Sequence, residues 1–145
     1  MKFVRSDLPG VLIVEPLAFE DERGWFMESF NQARWEAGLR ELGEPASRPF
    51  VQDNHSCSKA GVLRGLHYQL DPQSQGKLVR VVKGAAFDVA VDIRRGSPHF
   101  GRWFGLELSA SNRRQLWIPE GFAHGFVALE DDTHFLYKTT DVYSK

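Results

Sequence analysis

Roughly ten short apolar runs, closed off by glycine, proline or small polar turns, do most to restrict the folds open to this chain. They fall at 11–14, 24–30, 50–55, 61–69, 77–83, 86–93, 103–108, 115–118, 125–129 and 135–139. Between them lie breakers such as Asp71-Pro72, Gly84, Gly96-Ser97-Pro98 and Ser109-Ala110-Ser111-Asn112. Only residues 31–42 carry a helix signal. Asn31 is a good N-cap, Trp35, Leu39 and Leu42 recur at helical spacing, and Gly43 stops the pattern. One helix among so many strands predicts an all-β double-sheet jelly roll rather than an α/β enzyme. No repeat or Pro/Gly/Ser-rich linker divides the chain, so residues 1–145 read as one domain.

Hydrophobic residues make up 42% of the chain, with eleven Phe, four Trp and three Tyr, enough to fill a packed interior. Eighteen Lys and Arg stand against nineteen Asp and Glu, a net charge of -1. A duplex nucleic-acid partner normally leaves a basic excess, so no nucleic acid is expected. No apolar run nears the roughly 18 residues of a membrane span. The charged start, Met1 to Asp7, lacks the apolar stretch of a signal peptide, and the lone Cys57 has no internal disulfide partner. A cytoplasmic protein with no membrane partner is the expectation.

Side chains alternate across a strand, so period two sorts residues by face. In 87–93, Phe87, Val89, Val91 and Ile93 point one way and Asp88, Ala90 and Asp92 the other. That polar face reads either as solvated surface or as the lining of a wet cavity inside a barrel. In 133–138, Tyr137 shares a face with Phe135 and Thr133, opposite His134 and Lys138. Along 62–69, strict alternation separates Arg64 from His67. Gly65 lies between them and could host a bulge that re-aims one of the two.

Several chemistries find no support. No G-x-G-x-x-G opens a helix, no phosphate loop precedes Gly76-Lys77, and no G-x-S-x-G elbow is present. The stretch Pro119-Glu120-Gly121-Phe122-Ala123-His124 resembles the second motif of the cupin superfamily, P-x-G-x-x-H. The first cupin motif carries two histidines one residue apart, followed by a glutamate. Here that place reads His67-Tyr68-Gln69, with no glutamate at the right spacing. A catalytic metal site takes about three protein ligands and an open position. Two histidines are on offer, so a metal-free cupin-like barrel is expected.

Without a metal, the polar set has another logic. A histidine base, a tyrosine acid and a cation are what proton abstraction beside a carbonyl requires. His67, Tyr137 and Lys77 supply those types on strands that a barrel brings together. With base and acid on opposite faces of the substrate, the carbon inverts and no cofactor is needed. Each residue also has a plainer reading: a histidine bonded to backbone, a tyrosine at a core edge, an exposed lysine, or Arg23 paired with Asp21.

Longer motifs weigh against those plainer readings. Asp21-Glu22-Arg23-Gly24, Gln52-Asp53-Asn54-His55-Ser56, Gly61 to Gln69, Gly76 to Val81, Phe87 to Arg94, Ser97 to Gly101 and Gln115 to Phe126 run in one collinear order. Together they are similar to the dTDP-4-dehydrorhamnose 3,5-epimerase family. The resemblance implies a cupin-like jelly-roll barrel (a double-stranded β-helix) with one short helix near its start. It also implies cofactor-free epimerisation at C3 and C5 of a dTDP-4-keto-6-deoxyhexose, on the way to dTDP-L-rhamnose. By the same likeness His67 is the base, Tyr137 the proton donor and Lys77 the cation near the C4 carbonyl. Asp88 lines the same cavity, and Arg64 and His124 contact the nucleotide sugar. Arg23, Glu28, Gln52 and Asn54 match further substrate-binding positions, while Trp25 and Phe26 are our candidates for a face against thymine.

The family forms homodimers, and the resemblance implies that Arg23 and Glu28 are lent to the partner's site. His55, His99, His134 and Cys57 are expected to be structural, Cys57 standing where many relatives carry arginine. Family members run on past the position of Lys145 and contribute an aspartate that orients the base, so this stretch is expected to lack that carboxylate. Three other readings remain open: an epimerase acting at C3 or C5 alone, a metal-dependent cupin using His67 and His124, and a non-catalytic sugar-nucleotide binder.

Overall fold

The computed structural model describes residues 1–145. Twelve strands and one helix follow in order: β1 (Lys2–Arg5), β2 (Leu12–Glu15), β3 (Ala18–Asp21), β4 (Gly24–Met27), α1 (Gln32–Glu41), β5 (Gln52–Ser58), β6 (Leu63–His67), β7 (Lys77–Lys83), β8 (Ala85–Asp92), β9 (Trp103–Ser109), β10 (Gln115–Ile118), β11 (Phe122–Ala128) and β12 (Thr133–Thr139). A six-stranded sheet runs β1-β2-β10-β7-β12-β5, and a four-stranded sheet runs β6-β11-β8-β9. Neighbours in both are antiparallel. The β3–β4 hairpin forms a separate two-stranded sheet. The expected jelly-roll class is the observed one.

The two large sheets enclose a core of Val79, Val81, Ala86, Leu108, Leu116, Ile118, Phe122, Phe126 and Phe135. A second cluster, Leu12, Val14, Leu78 and Trp117 with Trp35 and Leu39 of α1, fills the space between the helix and the outside of the six-stranded sheet. Strands β2, β10 and the first half of β7 are therefore buried on both faces. That is why they read as unbroken apolar runs instead of alternating ones. The Asn31 side chain caps the helix by accepting from the Arg34 N–H at 3.1 Å, and Leu42 closes it. Full burial of Trp35 alone is worth about 2–3 kcal/mol of transfer free energy.

Two strands were not foreseen. β1 carries only Phe3 and Val4 between Lys2 and Arg5, so its charged ends concealed an edge strand. β3 is largely exposed and polar, and it forms by pairing with β4 rather than by burying a face. The expected strand at 24–30 stops at Met27, because Glu28 to Asn31 turn into the helix.

Candidate active site

The site begins where β6 meets β11. His67 lies opposite His124, and Arg64 lies opposite Phe126. Three steps on β6 are thus matched by two on β11, which is the signature of a one-residue bulge at Gly65-Leu66. The extra residue undoes strict alternation, and Arg64 and His67 share the inward face. Glycine is required on both sides of this bulge. Gly65 sits at φ +127, where a Cβ would lie 2.6 Å from the Gly125 Cα, and a Cβ on Gly125 would lie 2.7 Å from the Arg64 carbonyl oxygen.

On β8 the alternation is as expected and its polar face is the inner one. Asp88, Ala90 and Asp92 have no exposure, while Phe87 is 36% exposed. Of the two readings of that face, surface and lumen, the structure selects the lumen. A buried carboxylate needs partners. Asp92 spends itself on Arg94 (2.8 Å) and Ser97 (2.6 Å) at the rim. Asp88 Oδ1 lies 2.7 Å from His124 Nε2, while its Oδ2 is buried with no hydrogen-bond partner.

Lys77 opens β7 from the same interior. It is only 7% exposed, and burial draws its pKa down while the Asp88 charge opposes the shift. Desolvation, then Lys77, His124 and Arg64, all push His67 below the ordinary histidine value, which favours the neutral imidazole that a base needs. Tyr137, on β12 between Val79 of β7 and Asn54 of β5, moves the other way. Burial raises its pKa against the opposing pull of Asn54 and Arg64, so the phenol stays protonated. Arg64 is electrostatically close to both His67 and Tyr137 and is itself held by Ser58 Oγ at 3.0 Å. Below them Phe135 stacks on Phe126 with centroids 4.0 Å apart, and the Tyr137 ring meets Phe135 edge-on at 6.1 Å.

Six of the ten expected residues therefore gather at one end of the barrel: Lys77, Asp88 and His124 buried inside, Tyr137 half-buried, and Arg64 and His67 exposed at its mouth. Asn54 borders it beside Tyr137, its amide oxygen accepting from Gln52 Nε2 at 3.0 Å, and Gln52 Oε1 takes the Tyr143 N–H at 3.2 Å. Arg23 and Glu28 are not brought in. Arg23 sits at the hairpin turn paired with Asp21, and Glu28 pairs with Arg34 at 3.3 Å and accepts from Asn31 at 3.2 Å. On the hairpin, Trp25 lies under the Arg113 guanidinium at 4.5 Å and Phe26 is 70% exposed.

Ser58 and the Phe126–Phe135 stack were missed as site components. Their inward period on β5, β11 and β12 was the available signal. Gln69, in place of a second cupin histidine, bonds the Gln73 carbonyl at 2.6 Å and the Val142 carbonyl at 3.2 Å. No group of three or more His, Cys, Asp or Glu side chains converges as a metal site would require. His55 and His134 contact each other at 2.9 Å outside the barrel, and His99 meets Arg102 at 3.2 Å.

The two facing sheets and their polar interior define a cupin-like jelly-roll protein with a candidate acid–base site inside the barrel. The model of the dTDP-4-dehydrorhamnose 3,5-epimerase family matches residues 5–145. The Shigella flexneri dTDP-4-dehydrorhamnose 3,5-epimerase is 61% identical over 145 residues, covering all of this chain and 77% of that protein. The solved Legionella pneumophila epimerase, bound to dTDP-4-keto-L-rhamnose, is 52% identical with a TM-score of 0.90 over 99% of this chain and 73% of that one. A 3'-monoepimerase from Streptomyces bikiniensis, solved with dTDP-quinovose, is 33% identical with a TM-score of 0.85 over 99% of this chain and 69% of that one. The chain belongs to the dTDP-4-dehydrorhamnose 3,5-epimerase family and is of the isomerase class.

Proposed function

We propose that this chain inverts C3 and C5 of dTDP-4-dehydro-6-deoxy-D-glucose, giving dTDP-4-dehydro-L-rhamnose, by proton transfer alone. Neutral His67 removes the proton from the carbon beside the C4 carbonyl. The C–H electron pair moves into the ring and the carbonyl oxygen becomes an enolate oxygen, held by the Lys77 ammonium. Tyr137 then returns a proton to the opposite face of the same carbon, and the carbonyl re-forms. His67 then releases its proton to solvent and the Tyr137 phenolate regains one, which readies the pair for the second carbon and balances protons and electrons without an oxidant. The observation that carries this reading is one barrel mouth at which His67, near Lys77 and Arg64, is pushed toward its neutral base form while half-buried Tyr137 is kept a protonated acid.

In this reading Arg64 and His124 hold the pyrophosphate, a guanidinium fork being well shaped for it. Gln52 and Asn54 line the approach. Arg23 and Glu28 serve the site of a second copy in a homodimer. In support, the β3–β4 hairpin carries Arg23, Trp25 and Phe26 outward, away from its own barrel. We place the enzyme in the cytoplasm, in keeping with a single free cysteine and with no helix long and apolar enough to cross a membrane.

The reaction run in D2O tests the proposal. Deuterium is expected at both C3 and C5 of the product. Label at one carbon only would make the chain a mono-epimerase, the activity named for the Streptomyces bikiniensis protein of the same fold. No label at either carbon, with a folded sample, would remove the epimerase reading.

A further inference from the structure

We propose that Asp88 is a positioning residue of this site, anchoring His124 through one carboxylate oxygen and acting through the other as a counter-charge for Lys77 that leaves the lysine donors free. The inference rests on the acid–base reading above and gives Asp88 a role that needs no contact with substrate.

Asp88 is sealed in, with no exposure. Its Oδ1 meets His124 Nε2 at 2.7 Å, a contact that fixes the orientation of the ring. Its Oδ2 is buried and has no hydrogen-bond partner. An orphaned carboxylate oxygen inside a barrel is costly, and an apolar or amide side chain would fill the space at lower cost. Its charge explains its presence. Lys77 is buried on β7, and Asp88 is the one group whose charge offsets the effect of burial on it.

The influence of Asp88 on Lys77 is coulombic, not a hydrogen bond. A direct ion pair would occupy the ammonium donors that an enolate oxygen needs. A charge held nearby keeps the ammonium form and leaves its donors unspent. The other charged or titratable groups on the faces around Asp88 are Arg64 and His67 of β6 and Tyr137 of β12. On β9 its register partner is Leu106, and β5 turns neutral Asn54 and Ser56 inward. Asp92, on the same face of β8, is already committed to Arg94 and Ser97. Asp88 therefore keeps one carboxylate oxygen without a hydrogen-bond partner in this site, and against the upward pull of burial the charges of His124 and Lys77 favour its ionised form.

Asp88→Asn keeps the shape and the contact to His124 while removing the charge. Lys77, followed by NMR of isotopically labelled lysine in the free protein, is expected to titrate about one pH unit lower in the variant, the order of effect of one lost charge at a partly buried site. The alkaline limb of kcat/KM should move down by the same amount with KM nearly unchanged, and Asp88→Glu should restore part of it. An unmoved Lys77 titration and pH profile in folded Asp88→Asn would overturn the proposal. If that variant does not fold, the carboxyl carbon of Asp88 in the unaltered protein decides: a charged group at neutral pH supports the proposal, and a protonated one refutes it. The lysine titration needs no turnover, so it remains decisive even if the epimerase reading fails.

Discussion

Gly65→Ala is the substitution that most directly probes how this chain builds its site. The single methyl group would sit 2.6 Å from the Gly125 Cα and 2.9 Å from the His124 carbonyl oxygen, both backbone atoms with no rotamer to yield. It would also place an L-residue at φ +127, a region that side chains avoid. Overpacking against rigid neighbours costs about 1–3 kcal/mol, and holding a non-glycine residue in such a conformation costs about 1–3 kcal/mol. The combined loss is about 2–6 kcal/mol if the register is kept. At about 2–4 °C per kcal/mol for a chain of this size, the melting temperature should fall by roughly 4–24 °C.

The chain's other escape is to move β6 away from β11, which trades stability for position. His67 is the last residue of β6 and pairs with His124 across the bulge, so such a shift carries the base out of line with Tyr137. Urea unfolding followed by circular dichroism, together with the rate of deuterium wash-in, separates the two responses. Either stability or turnover must suffer. A Gly65→Ala protein within about 0.5 kcal/mol of the parent and fully active would refute the claim that the glycine-lined bulge sets the base.

Two further outcomes depend on pH. His67 acts as a base only when neutral and lies below the ordinary value of 6.5, so the acid limb of kcat/KM should fall with unit slope only below pH 6.5; an acid limb centred above that value would contradict the assignment. Burial alone would raise Asp92, but hydrogen bonds from Arg94 and Ser97 hold it at about 2 against an ordinary 3.8. Its folded-state value is depressed, so its contribution of about 2 kcal/mol is present above pH 4 and lost as pH falls toward 2. Urea midpoints across that window should drop more steeply for the parent than for Asp92→Asn, and equal slopes would count against the Asp92–Arg94–Ser97 lock.

Much of the fold was legible because strands advertise themselves through turn residues and apolar runs, and the Asn31 cap with Trp35 and Leu39 located the helix within about one residue. β1 and β3 were not legible, since one hides its apolar pair between charges and the other exists through cross-strand pairing. Period two grouped Asp88 with Asp92, but it could not say whether that face was wet outside or wet inside. Only closure of the second sheet settles that. Gly65 announced a possible bulge, whereas its partner Gly125, which permits the close approach, sits 60 positions away and gave no local sign. The plain reading of Arg23, paired with Asp21 beside a turn, is its state in this chain, and its membership of any site depends on a second copy.

The central claim is that His67 and Tyr137 address opposite faces of one substrate carbon. It is tested most directly by comparing His67→Asn and Tyr137→Phe in D2O with dTDP-4-dehydro-6-deoxy-D-glucose. Without the phenol, the base should still exchange hydrogen for deuterium while the carbon keeps its original configuration. Without the imidazole, neither exchange nor inversion should occur. Inversion that persists in Tyr137→Phe, or exchange that persists in His67→Asn, would contradict the account.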